Sequence, residues 1–310
     1  MPRRSTHMSP AEHPGTAGSA PAGAGGLVPS RRQYLELKAQ HPGAILLYRL
    51  GDFYEAFDDD ARIVARDARI TLTSRSFGRN GRVPMAGIPH HALNHYLGRL
   101  LAAGHTVAIA EQLSEPGRGL VHRAVTRVLT PGTVAEPGLL PATENRYLAA
   151  ICPRGDRIGL AWVDVSTGEF ATTELGGAAA PGRLHEELAR LNPAECLVPD
   201  RNEGAAGHLA APLSFSIAEG ATSDPSALPC LAVGHVTRLE WWHFDPQRAT
   251  TALCERFGVR SLVPFGCAEL PAAIGAAGAI LAYVERTNPR APNALTVTLG
   301  WMRPPGETWS

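Results

Sequence analysis

Short apolar runs of strand length alternate with stretches of helical period along most of this 310-residue chain, and that alternation restricts it to an α/β architecture. Residues 31–38 space Tyr34, Leu35 and Lys38 as a short amphipathic helix that stops at His41-Pro42-Gly43. Ala44 to Leu50 reads as a buried strand closed by the turn pair Gly51-Asp52. Phe53-Tyr54-Glu55-Ala56-Phe57 then leads into Asp58-Asp59-Asp60, three carboxylates suited to the positive end of a helix through Ala65. The aromatic cluster is therefore expected at a strand-to-helix junction.

Further along, Ile70 to Leu72 reads as a strand, followed by a polar loop rich in Ser, Arg and Gly and then by Pro84 to Pro89. A helix from Leu93 to Ala103 is expected to end at Gly104, and strands are expected at Thr106 to Ala110 and Arg123 to Leu129. These elements make a first α/β domain over residues 31–145. The pattern restarts with a three-strand meander (Tyr147 to Ile151, Ile158 to Val165, Glu169 to Glu174). A helix at Leu184 to Leu191, a strand at Glu195 to Val198, a Gly/Ala/Pro-rich loop and helices at Pro246 to Phe257 and Ala272 to Arg286 follow. That is a second α/β domain over 146–287. The Pro-, Gly-, Ala- and Ser-rich residues 1–30 read as a disordered tail without the apolar core of a secretory signal, and 288–310 as an irregular end.

Composition excludes several classes. Hydrophobic residues make up 44% and charged residues 19%, which suits two packed cores rather than a disordered chain. The apolar run Ala276 to Val284 is far too short to span a bilayer and ends at Glu285. Five scattered cysteines form no Cys-x-x-Cys pair, so neither a disulfide framework nor a zinc cluster is indicated, and a reducing cytoplasm fits. Basic and acidic residues balance at 29 each, but from Arg69 to Arg127 arginines outnumber carboxylates by eight to two, with five histidines in the same stretch. A polyanion finds its footing there if anywhere.

Gly51-Asp52-Phe53-Tyr54-Glu55-Ala56-Phe57 resembles the mismatch-reading motif of the MutS family, Gly-Asp-Phe-Tyr-Glu-x-Phe. Around it stand Gln33-Tyr34-Leu35 with Lys38, Pro84-Met85-Ala86-Gly87-Ile88-Pro89, Ala108-Ile109-Ala110-Glu111-Gln112 and Thr130-Pro131-Gly132-Thr133. In the second domain, Asp164-Val165-Ser166-Thr167-Gly168 and Phe265-Gly266 before an Ala-rich helix resemble the family's connector. The likeness runs from about Gln33 to Arg286.

The resemblance implies an α/β chain with a mixed-sheet mismatch-recognition domain followed by an RNase H-like connector. It implies mismatch recognition on double-stranded DNA, with Phe53 as a wedge inserted from the minor groove beside a mispaired base, where unstacking costs least. Glu55 is implied to hydrogen-bond the stacked base. Taken alone, Phe-x-Glu-x-Phe at a strand end reads better as two core aromatics around an exposed acid; the flanking motifs favour the wedge. Tyr54 and Phe57 are assigned to packing. Arg75, read in the loop after Leu72-Thr73, is either a phosphate contact or a solvated surface arginine. The connector is implied to contact the downstream repair partner MutL, so an interaction module is the alternative function.

No catalytic or metal-ligating set stands out. A nuclease would need several converging carboxylates, and only Asp164 is well placed. His90-His91 and His95 lack a third ligand and read as surface or core histidines. No Gly-x-x-x-x-Gly-Lys-[Ser/Thr] occurs, so the ATPase of the family and its ATP and magnesium are not expected in these residues. The lever and clamp are likewise not expected in these residues, and Thr287 to Ser310 part from the family pattern, as in a truncated member, a fragment or a chain whose reading frame changed.

Overall fold

A computed structural model describes residues 27–77, 81–113, 121–134, 139, 146–200, 235–287 and 298–301. Most of the tail, most of the Gly/Ala/Pro-rich loop and most of the C-terminal stretch lie outside the described residues.

The first unit is built on a six-stranded mixed sheet. Helix α1 (Pro29–Gln40) begins inside the stretch read as a tail, because Pro29 and Pro-compatible first-turn geometry start a helix where no backbone N–H is needed. Strands β1 (Ile45–Leu50) and β2 (Phe53–Phe57) form a hairpin, α2 (Asp58–Asp67) follows, and β3 (Thr73–Ser76) pairs with β4 (Arg82–Pro89). Helix α3 (Leu93–Ala102) leads to β5 (Val107–Gln112) and β6 (Arg123–Leu129). The strand order is β3-β4-β2-β1-β5-β6, antiparallel throughout except for the parallel β1–β5 pair.

Alternation along the central strands supplies both faces of this sheet. Ile45, Leu47, Tyr54, Ala56, Ile88, Val107 and Ile109 pack under α2 and α3 through Ala61, Val64, Leu97 and Leu100. Leu46, Tyr48, Phe57, Ala108 and Ala110 pack on the opposite face against Tyr34 and Leu37 of α1. A buried carboxylate ties the layers together: Asp60 accepts from Lys38 Nζ at 2.8 Å, from the Leu46 backbone N–H at 2.9 Å and from the Tyr34 hydroxyl at 3.4 Å. Burial, with the Asp60 charge beside it, pushes the Tyr34 hydroxyl well above the usual phenol range.

Two sequence readings are corrected here. The strand expected at Ile70 to Leu72 lies at Thr73–Ser76 instead, because only from Thr73 onward does the chain run beside β4. Leu72 is exposed. The aromatic cluster runs straight into α2 as expected, but it is a complete strand of the sheet rather than a connection, hydrogen-bonded to β1 on one side and β4 on the other.

The second unit holds the expected meander, β7 (Tyr147–Arg154), β8 (Arg157–Asp164) and β9 (Glu169–Gly176), antiparallel throughout. Helix α4 (Ala180–Leu191) follows, and β10 (Glu195–Pro199) adds parallel to β7. A strand not foreseen, β11 (Val236–Leu239), adds parallel to β10; only four residues long, it carries too little alternation to register in a sequence. Helices α5 (Pro246–Phe257) and α6 (Pro271–Thr287) complete the unit, and β12 (Thr298–Trp301), in the stretch read as irregular, pairs with β9. An antiparallel meander flanked by a parallel pair is the RNase H-like arrangement, so the mixed α/β class expected of both units holds.

Helix α4 covers one face of this sheet through Leu184, Leu188 and Leu191, and α5 and α6 cover the other. The approach of α6 is close enough to require glycine at the contacts. A Cβ on Gly159 of β8 would lie 1.9 Å from the Ala272 carbonyl oxygen, and one on Gly278 would lie 2.3 Å from Ala249 Cβ. Glu174 on β9 caps this helix from outside, accepting from the Ala272 and Ala273 N–H groups at 2.9 and 3.3 Å. Among the described residues no helix is long and apolar enough to cross a membrane.

Candidate nucleic-acid interface

The hairpin that presents Phe53 is set by its two-residue turn. Gly51 adopts φ of +59°, a conformation glycine tolerates without a Cβ clash, and the turn places Leu50 opposite Phe53. From that register the side chains of Phe53, Glu55 and Phe57 share one face of the sheet, and Tyr54 and Ala56 the other. Tyr54 and Phe57 are buried, each in one of the two cores, in keeping with their assignment to packing. Phe53 sits at the strand's open end, past the reach of α1, and remains 46% exposed.

The floor under the ring is a glycine. Gly87 of β4 faces Glu55 across the ladder, and the position a Cβ would take there is 3.6 Å from Phe53 Cδ1 and 3.7 Å from Met85 Sδ. On the reverse face, the Tyr54 hydroxyl donates to Glu111 Oε1 at 2.5 Å, the Arg49 guanidinium lies 5.1 Å from the Tyr54 ring centroid, and His90 stacks on that ring at 6.2 Å. Burial and the Glu111 hydrogen bond raise the Tyr54 pKa, so the hydroxyl stays a donor at neutral pH. The His90 N–H donates to the Asp52 carbonyl at 2.8 Å. The tip that carries Phe53 is thus fastened from below while its ring stays in solvent.

Glu55 is only 7% exposed, although a carboxylate without a partner is costly to bury. Its partner is Arg75, whose Nη1 donates to both carboxylate oxygens. This corrects the reading of Arg75 as a loop residue. It stands in β3, opposite Val83, and reaches across β4 to Glu55. Phe53, Glu55 and Arg75 therefore do come together on one face. The sequence signal that would have found the pair is the β3–β4 hairpin itself, hidden because Thr73–Ser76 is polar and short.

Much of the arginine surplus between Arg69 and Arg127 is engaged in hydrogen bonds to the protein's own groups. Arg123 is buried, donates from Nε to the Arg49 carbonyl at 2.6 Å and lies 4.9 Å from the Tyr48 ring centroid. Arg99 donates to the Ala68 carbonyl at 2.9 Å, and Arg82 to Ser74 Oγ at 2.9 Å. Arg79 and Arg118 lie outside the described residues.

Asp164 is likewise committed to structure. It is buried, and its Oδ1 accepts from Ser166 N–H at 2.9 Å, Ser166 Oγ at 2.6 Å and Thr167 N–H at 3.3 Å, closing the β8–β9 turn. Among the described residues no group of three or more His, Cys, Asp or Glu is placed to hold a metal ion.

Chemically, the arrangement offers an exposed aromatic ring on a rigid strand end, with a neutralised carboxylate two residues along the same face. A flat ring of this kind stacks on a planar apolar partner, and the carboxylate accepts hydrogen bonds from its edge.

Comparison with known proteins places this geometry in context. The family model described as MutS domain I matches residues 28–137, and that described as MutS domain II matches residues 146–296. The chain is 44% identical over 307 residues to the DNA mismatch repair protein MutS of Roseiflexus castenholzii, covering 83% of this chain and 28% of that protein. It is 46% identical over 262 residues to the MutS of Symbiobacterium thermophilum, again with 83% and 28% covered. With the MutS of a Synechococcus strain the identity is 44% over 270 residues, covering 84% and 29%. The chain thus spans less than a third of the length of these relatives.

Proposed function

Because this chain belongs to the MutS family of DNA mismatch-repair proteins, we propose that its first unit reads mismatched or unpaired bases in double-stranded DNA by inserting the Phe53 ring beside the faulty base. The supporting observation is the position of Phe53, an aromatic ring 46% exposed at the end of a strand whose next four residues are all buried. Prying a base step apart costs a few kcal/mol, and the cost falls where pairing is already lost, so deformability supplies the discrimination. Glu55 would then accept a hydrogen bond from the base against which the ring stacks.

In these residues the reading is non-enzymatic: recognition without ATP, magnesium or a catalytic group, in the cytoplasm. Binding by the isolated chain is expected to be weak and salt-sensitive. The test is fluorescence anisotropy at low salt with matched duplex and duplex carrying an unpaired base. The wild type should prefer the latter, and Phe53→Ala should lose the preference; equal binding of both duplexes by both proteins overturns the reading.

For the second unit we infer a docking role toward the downstream factor MutL. Trp242, exposed in the short turn before α5, favours it, since a large apolar ring left in solvent suits a partner surface. Retention of MutL by the chain, lost on Trp242→Ala, is the expected result; undiminished retention by the variant removes Trp242 from the contact.

A further inference from the structure

A carboxylate is a poor choice for a surface that meets a polyanion, and the Glu55–Arg75 pair resolves that difficulty. Glu55 faces Gly87 across the β2–β4 ladder, so no side chain stands opposite it there, and on the other side Tyr48 of β1 directs its hydroxyl to Gln33 rather than to the carboxylate. The group that holds it comes from one strand further out, where Arg75 stands opposite Val83 and extends its guanidinium back over β4. The carboxylate is nearly sealed from water, whereas the Arg75 side chain is 40% exposed.

We propose that Arg75 is the positioning residue for base reading, holding Glu55 oriented and electrically neutralised beside the Phe53 ring, rather than a phosphate contact in its own right. The inference rests on the reading of Phe53 and Glu55 as the base-contacting pair. Its physical basis is the cost of an uncompensated charge. Without the guanidinium, a nearly buried carboxylate would face both desolvation and the field of the DNA phosphates, and its oxygens would lose the bonds that aim them. With it, the pair approaches the duplex carrying no net charge, and a lone pair on each oxygen remains to accept from a base edge.

The experiment is a double-mutant cycle in the full 310-residue chain, read by anisotropy on matched duplex and on duplex with an unpaired base across a salt series. Arg75→Met should weaken binding to the unpaired-base duplex by about tenfold when Glu55 is present, and by less than about threefold in combination with Glu55→Gln. The slope of log affinity against log salt should match that of the wild type, whereas loss of a phosphate contact would reduce it by about one. Arg75→Lys, which keeps the charge, should recover part of the loss, and far-UV circular dichroism checks that each variant is folded. Equal losses in both backgrounds, with a reduced salt slope, overturn the proposal and leave Arg75 as a phosphate contact. A wild type without any preference for the unpaired base overturns the reading of the site, and this inference with it; intact preference with additive losses overturns this inference alone.

Discussion

The hydroxyl of Tyr283, on α6 of the second unit, donates to Glu195 Oε1 at 2.6 Å, in the seam where the first unit's Gly132 N–H donates to Oε2 of the same carboxylate at 3.1 Å. Thr237 on β11 adds a third donor at 2.7 Å. Glu195 is fully buried, so three elements far apart in sequence converge on one carboxylate. Burial and the Glu195 charge push the Tyr283 hydroxyl well above the usual phenol range, which keeps it a donor. Glu195→Ala leaves three donors without their shared acceptor and should lower the unfolding free energy by about 3 kcal/mol, against about 1 kcal/mol for Tyr283→Phe. Urea denaturation measures both, and equal small losses would show that the seam is wet.

Glycines divide sharply by what surrounds them. Gly159→Ala would place a methyl 1.9 Å from the Ala272 carbonyl oxygen, forcing α6 off the sheet at a cost of about 3 kcal/mol or more. Gly182 lies in α4 with nothing within 4 Å of its added Cβ, so Gly182→Ala should stabilise the chain by about 0.5–1 kcal/mol. Thermal melts of the two variants should therefore move in opposite directions.

Cysteine chemistry follows burial. Desolvation pushes the thiols of Cys152 and Cys196 up to about 12, so at pH 8 both remain protonated as well as shielded. Cys254 is partly exposed. Mass-mapped maleimide labelling of the native chain at pH 8 should modify Cys254 and spare Cys152 and Cys196 until denaturant is added. Comparable native labelling of Cys196 would contradict the packed sheet interior.

Tyr54 provides the control for Phe53. Tyr54→Phe deletes the hydroxyl bond to Glu111 on the reverse face and should cost about 1 kcal/mol of stability. Preference for an unpaired base should be unchanged, since the substituted ring stays in the core. A loss of preference as large as that of Phe53→Ala would move the reading surface to the other face of the sheet.

The linear order of residues was enough for the α/β class and for most elements of length. Meander, helices and central strands were visible because each repeats its apolar residues at a period of two or near four over enough positions to rise above chance. It also marked Phe53 and Glu55 as candidates, through a motif that is local and resembles one of a known family. It did not resolve β3 or β11, each four residues long, because a strand that short carries its specification in the neighbour it pairs with. The same limit explains Arg75. Read along the chain it is one arginine in a polar stretch; its meaning arises only when two antiparallel ladders bring it within reach of Glu55, 20 positions away. Periodicity is written into consecutive residues, whereas the pairing of a buried charge depends on which strands become neighbours, and that is settled by the packing of the whole sheet.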